Sequence, residues 1–290
     1  MSPIDHFAYG LATPVASYVM SSIGSLLGLL LAARARGARG GSRALWLIGA
    51  ALSIGGTGIW VMHFIAMMGF DVRGASIRYD VTLTVASALL AVVVVGAGLF
   101  LVSRSAGPGA LLGGGLLTGL GVAGMHYLGM AAMNMSAHVT YDPLLVGLSL
   151  LIAVTAATVA LWFSVRVRGA AATTGAALVM GLAVNGMHFT GMFALDVSVH
   201  GTSAPTSGAE GMDFMLPLLV GISLLTLGLL LTIFLSPSEQ EMRQDAELEA
   251  QLRRNRSADG PAAPSGPMEP HTRPARDHRP SLFDDHGPGR

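Results

Sequence analysis

The sequence predicts an all-α polytopic membrane protein with seven transmembrane helices, arranged as three parallel helical hairpins followed by one extra helix. Apolar residues make up 52% of the chain and charged residues 12%, against roughly 25% charged residues in soluble proteins. Long runs without charge are typical of membrane spans, and a two-helix segment recurs about every 62 residues. These observations exclude a soluble enzyme with one ordinary core.

Each apolar run is long enough to cross a bilayer, since about 20 helical residues cover about 30 Å. The predicted spans are residues 12–33, 44–69, 81–102, 110–134, 143–165, 172–195 and 214–235. We therefore expect one membrane domain over residues 1–237. A short cytoplasmic helix is predicted for residues 238–256, where acidic residues come early and Arg late, and a disordered tail for residues 257–290. No catalytic domain is expected in that tail.

The distribution of Arg predicts the orientation, because short cytoplasmic loops carry an excess of positive charge. The chain has no lysine, and its predicted fourth and sixth loops have no Arg. The Arg residues of the odd-numbered loops are Arg34, Arg36, Arg39, Arg43, Arg104, Arg166 and Arg168. The N-terminus is therefore expected outside and the C-terminus in the cytoplasm. Zero net charge gives no indication of nucleic-acid binding, and the absence of cysteine excludes disulfides and thiolate metal sites. No cleavable signal peptide is predicted.

The internal repeat is a pair of spans with matching landmarks. Tyr-Asp pairs at 79–80 and 141–142 open the third and fifth spans, and Arg104 and Arg166 close them. Met-His pairs at 125–126 and 187–188 lie 62 residues apart, and a further pair at 62–63 lies 63 residues before the first of these. Two spans per unit preserve orientation, so the three units are expected to be parallel, around an axis along the membrane normal.

The three His-bearing helices share a register around His63, His126 and His188. Each has a glycine seven residues earlier, a methionine four residues later and a polar residue eight residues later. These sets are Gly56, Gly119 and Gly181; Met67, Met130 and Met192; and Asp71, Asn134 and Asp196. On an α-helix, the glycine, the histidine and the methionine four residues after it point in directions within about 60° of one another. We expect this stripe to face the bundle, with three imidazoles at one level near the outer leaflet and the polar residues about 12 Å further out, at the rise of an α-helix.

An ionisable residue inside a span is a candidate functional residue, because placing it there is energetically costly. Neutral imidazole suits Cu, Zn, Fe or Ni, and thioether sulfur selects Cu(I). No carboxylate or cysteine is expected at the histidine level, which disfavours Mg, Ca and the usual zinc sites. Copper is therefore the predicted ion. Three alternatives stay open: haem ligated by two histidines, transport of copper or a small solute, and neutral histidines that only join helices.

Other histidines and methionines carry weaker predictions. Met62, Met125 and Met187 project about 100° away from the histidine face and either flank the site or pack in the core. The loop residues His138 and His200 are candidates for metal capture, with an ordinary loop role as the alternative, and His6 is similarly ambiguous. The tail residues His271, His278 and His286 receive no role.

Three segments resemble the motifs of the MHYT domain: GIWVMHFIAMMGF (58–70), GVAGMHYLGMAAM (121–133) and NGMHFTGMFAL (185–195). The resemblance covers roughly residues 5–235. It implies a bacterial plasma-membrane sensor that holds copper and senses O2, CO or NO. The metal ligands that it implies are His63, His126 and His188, with Met62, Met125, Met187, Met67, Met130 and Met192.

The sequence departs from the MHYT pattern in two ways. Phe64 and Phe189 replace Tyr, and Ile65 and Leu128 replace Thr, so a role for the Tyr hydroxyl can rest only on Tyr127. Many relatives carry a fused diguanylate cyclase, phosphodiesterase or histidine kinase, whereas a stand-alone form is expected here. The signal is therefore expected to leave through the tail or through a separate cytoplasmic partner.

Overall fold

Six helices of the structure are long and apolar enough to cross a membrane. The computed structural model describes residues 4–73, 76–135, 137–198, 208–210, 217, 221, 224–232, 235 and 239–258. The six helices are α1 (Ala12–Gly37), α2 (Gly40–Met67), α3 (Val81–Arg104), α4 (Pro108–Ala131), α5 (Pro143–Arg166) and α6 (Ala170–Phe193). The first six predicted spans are confirmed to within a few residues. Ten of the 22 residues of the predicted seventh span, 214–235, lie outside the described residues, and residues 224–232 within it are helical.

The six helices form a closed ring in sequence order, since each packs against its neighbours and α6 packs against α1. The hairpins α1–α2, α3–α4 and α5–α6 are the three parallel units that the repeat predicted. Residues 224–232 lie against α2, where Thr226 Oγ1 is 3.4 Å from Thr57 Oγ1. The chain divides into two compact units, Met1–Glu239 and Gln240–Arg290, and a helix runs over Glu239–Ala258. The domain limits at 237 and 256 stay predictions.

The Tyr-Asp landmarks begin helices because the Asp side chain caps the free amides of the first turn. Asp80 accepts a hydrogen bond from the amide of Leu83 at 3.0 Å, and Asp142 accepts one from that of Leu144 at 2.7 Å. The backbone amides of the same two residues donate to the carbonyls of Ala132 and Ala194, both at 2.8 Å. Each Asp thus ties the beginning of one helix to the end of its hairpin partner.

Short antiparallel strand pairs close the same end of each hairpin. Strand β1 (Ile4–Asp5) pairs with β2 (Asp71–Val72), β3 (Arg78–Tyr79) with β4 (Met133–Asn134), and β5 (His138–Tyr141) with β6 (Leu195–Ser198). A seventh strand, Ala209–Glu210, adds to β3. The polar positions Asp71, Asn134 and Asp196 therefore lie in strands beyond the helix ends. Because the helices end at Met67, Ala131 and Phe193, the helical rise used to expect these positions about 12 Å above the histidines does not extend to them.

At the opposite end of the ring, two Arg side chains bind helix C-termini. Arg36 donates to the carbonyls of Ser164 and Val167, the latter at 3.0 Å, and Arg43 donates to the carbonyl of Ser103. The last carbonyls of a helix have no partner within it and carry partial negative charge, so guanidinium groups stabilise them. These contacts join the first hairpin to α3 and α5.

Within α2, residues Leu52–Val61 form a π-helix, in which one extra residue is accommodated relative to an α-helix. The extra residue shifts the packing glycine by one position: Gly55 lies eight residues before His63, whereas Gly119 and Gly181 lie seven residues before His126 and His188. A Cβ on Gly55 would lie 2.8 Å from the carbonyl oxygen of Ala91, whereas the nearest atom to a Cβ on Gly56 is 4.0 Å away.

Glycine at the corresponding place in α4 and α6 permits equally close helix approach. A Cβ on Gly119 would overlap the backbone of Val154, and one on Gly181 would lie 2.5 Å from Ser22 Oγ. These two predicted packing positions are confirmed. The assignment of Gly56 to the same role is wrong, because the π-helix moves that role to Gly55.

The π-helix can be tested with two neighbouring substitutions. We expect Gly55→Ala to destabilise the protein by about 1–3 kcal/mol, since the methyl group would press on the α3 backbone. Gly56→Ala is the matched control, and it should be neutral or stabilising by up to about 1 kcal/mol, the helix-propensity gain. Thermal and denaturant unfolding in detergent would measure both. Equal effects of the two substitutions would contradict the assigned register.

Candidate metal centre

Three buried imidazoles meet inside the ring. His63, His126 and His188 are 1%, 0% and 1% exposed. Their Nδ1 atoms form a triangle with sides of 3.0 Å (His63–His188), 3.1 Å (His63–His126) and 3.3 Å (His126–His188). The rings stand nearly perpendicular to one another, at 82–85°, with centroids 4.9–5.0 Å apart. The predicted convergence at one level is therefore confirmed.

Protons alone cannot satisfy such a triangle. Each nitrogen carries either a hydrogen or a lone pair, so at least two of the three present the same group to each other. Two facing lone pairs repel, as do two facing N–H groups, and the interior offers little screening. A cation at the centre removes the conflict, because all three nitrogens can then direct a lone pair at it.

The size of the triangle suits a metal ion. An ion equidistant from the three Nδ1 atoms and in their plane would be about 1.8 Å from each, slightly inside the imidazole–metal distance of about 2.0–2.1 Å for zinc. The three Nδ1 atoms could therefore hold one such ion after a small adjustment of the rings. No Asp, Glu or Arg occurs among the buried polar residues that the structure describes, so these donors are neutral.

Two glycines make room for the imidazoles. A Cβ on Gly129 would collide with His63 Nε2, and one on Gly191 would collide with His126 Nε2. Each glycine comes three residues after a core histidine, and Ala66 takes that position in the first unit. The Nε2 atoms of the three histidines have no hydrogen-bond partner among the described residues. Sequence reasoning missed this pair, although the repeated His-x-x-Gly spacing of the second and third units was a usable signal.

A second set of contacts joins each His-bearing helix to the following helix of the ring. Trp60 Nε1 donates to Ser87 Oγ at 2.9 Å, Tyr127 Oη and Ser149 Oγ are 2.7 Å apart, and Ser17 Oγ donates to Asn185 Oδ1 at 2.7 Å. The serines Ser17, Ser87 and Ser149 are fully buried. Sequence reasoning did not single them out, although Ser87 and Ser149 are 62 residues apart. Three different side chains thus make equivalent contacts around the axis.

Comparison with known proteins agrees with this geometry. The sequence profile of the MHYT family, described as a bacterial signalling protein N-terminal repeat, matches residues 56–115 and 119–177. The chain belongs to the MHYT family. The matched repeats contain the Met-His pairs at 62–63 and 125–126, and the structure brings the third pair, 187–188, to the same centre.

Curated relatives of this MHYT chain are signalling proteins. It is 38% identical over 248 residues to the bifunctional diguanylate cyclase/cyclic di-GMP phosphodiesterase MucR of Pseudomonas aeruginosa, covering 83% of this chain and 36% of that protein. It is 40% identical over 151 residues to the cyclic di-GMP phosphodiesterase NbdA of the same species, covering 50% of this chain and 19% of that one. It is 31% identical over 208 residues to the signaling protein YkoW of Bacillus subtilis, covering 69% and 25%. No solved structure matches the chain.

The MHYT methionines are all in the core. Met62, Met125 and Met187 of the motif, and Met67, Met130 and Met192 one turn later, are each at most 3% exposed. Burial is required of a ligand here but equally of a packing residue, so their assignment as ligands stays a prediction. Tyr127, which alone retains the motif tyrosine, uses its hydroxyl for the contact with Ser149.

Of the remaining histidines, His6 and His138 lie outside the MHYT centre. His138 is exposed in strand β5, and His200 and the three tail histidines fall outside the described residues. His6 is partly buried and packs its ring against Phe70 and Phe193, with centroids 5.6 and 4.9 Å apart. Burial lowers the pKa of His6, and the neighbouring Asp5 opposes that shift.

The glycine at 129 provides a test of the MHYT centre. We expect Gly129→Ala to displace the His63 ring and to weaken metal binding by roughly tenfold or more, as is typical when the shell behind a ligand is altered. Gly124→Ala is the control on the same helix, since its Cβ would meet the nearest atom at an ordinary 3.7 Å. Metal titration of both proteins, with an unfolding curve for each, would decide. Equal metal affinities of the two variants would show that a side chain at residue 129 does not disturb the His63 ring.

Proposed function

We propose that this MHYT membrane signalling domain binds one copper ion through the Nδ1 atoms of His63, His126 and His188 and uses it to sense a diatomic gas, namely O2, CO or NO. The observation that carries the proposal is the triangle of nitrogens 3.0–3.3 Å apart, which protons alone cannot satisfy. An ion held by these three imidazoles alone would keep a coordination position free for a gas molecule.

The neutrality of the site favours Cu(I) over a divalent ion. The desolvation cost of an ion grows with the square of its charge, so a doubly charged ion costs roughly four times as much in an apolar interior. Three imidazoles supply no negative charge to offset that cost. The buried thioethers of Met62, Met125, Met187, Met67, Met130 and Met192 add soft donors near the histidines in sequence, and such donors also select Cu(I).

The two competing functions fit these contacts less well. A porphyrin between two axial imidazoles needs the space that the third imidazole occupies, since each Nδ1 lies within 3.3 Å of both others. A cation permease needs a path to the far end of the ring, where Arg36 and Arg43 line the cavity and repel cations.

The sensing domain is proposed to lie with its N-terminus outside and its C-terminus in the cytoplasm, so that the strand pairs face outward and the Arg-rich ends of the helices face inward. The signal would then pass to the tail or to a separate cytoplasmic partner. Residues 224–232 lie against α2, the helix that carries His63, which links the centre to the segment that precedes the tail.

Copper binding can be measured directly. We expect purified protein to bind one Cu(I) per chain in competition with a chromogenic chelator, and His63→Ala to weaken that binding by at least roughly tenfold, because one of three donors is lost. His138→Ala is the control, since this histidine is exposed in β5. No affinity beyond that of the triple variant His63→Ala/His126→Ala/His188→Ala would refute the proposal. A Soret band in the purified protein would instead support haem.

The absence of native cysteine allows a simple test of orientation. Ser105→Cys lies after α3 and His138→Cys lies in β5, and both positions are exposed. In intact cells, we expect a membrane-impermeant maleimide to label the cysteine at 138 and to label the one at 105 only after lysis. The reverse pattern would invert the proposed orientation.

A further inference from the structure

A small apolar cavity lies inside the ring, lined among others by Ile59, Val122 and Val184, each four residues, about one helical turn, before one of the three histidines. It has a volume of about 50 Å³ and takes its walls from all three hairpins, among them Ile59, Val122, Met180 and Met187. Its few polar neighbours include Thr118, whose hydroxyl donates to the carbonyl of Val94 at 3.2 Å. One water-sized sphere needs about 10–15 Å³, and apolar cavities stay dry and accept xenon or similar molecules. The cavity is therefore suited to a small apolar molecule rather than to water.

A second apolar space opens on the outer surface of the ring, between α5 and α6. This cleft has a volume of about 360 Å³ and is lined by side chains such as Leu151, Val159 and Val179. It shares two wall residues, Ala156 and Met180, with the central cavity. Ala156 is small, and Met180 has an unbranched, adaptable side chain. These two side chains therefore border both the lipid-facing cleft and the central cavity.

The other end of the ring is less suited to an apolar molecule. The cavity there, of about 200 Å³, is lined by Arg36, Arg43 and Ser164, and Leu99 borders both it and the central cavity. Charged and polar walls disfavour an apolar solute. The described residues 224–232 pack on α2, which is opposite α5 in the ring, so they do not cover the cleft.

We propose that small apolar molecules dissolved in the bilayer enter sideways between α5 and α6, pass Ala156 and Met180, and dock in the central cavity beside the histidines. Apolar solutes are more concentrated in the hydrocarbon of the bilayer than in water. A lateral entrance therefore opens to the phase that holds more of them. The purpose of the route rests on the proposed gas-sensing function, whereas docking itself requires no metal. The occupant is a molecule of about two heavy atoms without charge.

Xenon is the probe for this route, used with metal-free protein in lipid nanodiscs and observed by xenon-129 NMR. We expect the unmodified protein to show bound xenon in exchange with the lipid pool. Ala156→Trp should slow that exchange by roughly tenfold or more, since the added ring obstructs the passage, and Met180→Ala should accelerate it. Leu182→Trp is the control, because Leu182 is 66% exposed on α6 and borders neither space.

Two outcomes would overturn the proposal: no bound xenon in the unmodified protein, or equal exchange rates in Ala156→Trp and Leu182→Trp. Circular dichroism and gel filtration check each fold, and Ala156→Leu replaces Ala156→Trp if the latter misfolds. Copper titration of the same preparations separates the two proposals. Protein that binds xenon but no copper retains the docking route and loses the sensing function, and protein that binds copper but no xenon loses only the route.

Discussion

The mutual approach of three neutral nitrogens in an apolar interior is the constraint on which the rest of the structure depends. Holding Nδ1 atoms 3.0–3.3 Å apart is unfavourable without a cation, so the surrounding helices must keep the rings from moving apart. Gly129 and Gly191 leave no space behind two of the rings, buried serines join each His-bearing helix to the next, and strand pairs close the hairpin ends.

The backbone follows the threefold arrangement of the hairpins more closely than the side chains do. Trp60, Tyr127 and Asn185 are chemically unlike, yet each contacts a buried serine of the following helix. The motif tyrosine therefore contributes a contact between helices that an indole or an amide can also provide. This explains how the fold retains its threefold arrangement although two of the three motifs lack the tyrosine.

The spans and the centre could be predicted from sequence, because hydrocarbon demands long apolar helices and a 62-residue repeat places equivalent residues at equivalent depth. The π-helix could not, since aligning Gly56 with Gly119 assumes a constant helical period. The two-residue strands are too short to show an alternating pattern. Gly129 and Gly191 were missed because each glycine faces an imidazole of another helix, and one helix's sequence does not specify its neighbour's side chains.

If the three hairpins were identical, a change at the centre would act equally on all three helices that carry a histidine. Passing a signal to one part of the protein therefore requires one hairpin to differ from the other two. The first unit differs through the π-helix Leu52–Val61, which lies directly before Met62 and His63. Thr57 within it lies 3.4 Å from Thr226, so this irregular segment connects the helix that carries His63 to residues 224–232. A π-helix converts to an α-helix by releasing one residue, a small step that the regular helices α4 and α6 do not offer. Under the proposed sensing function, this asymmetry makes α2 the helix through which a change at the centre would pass to residues 224–232.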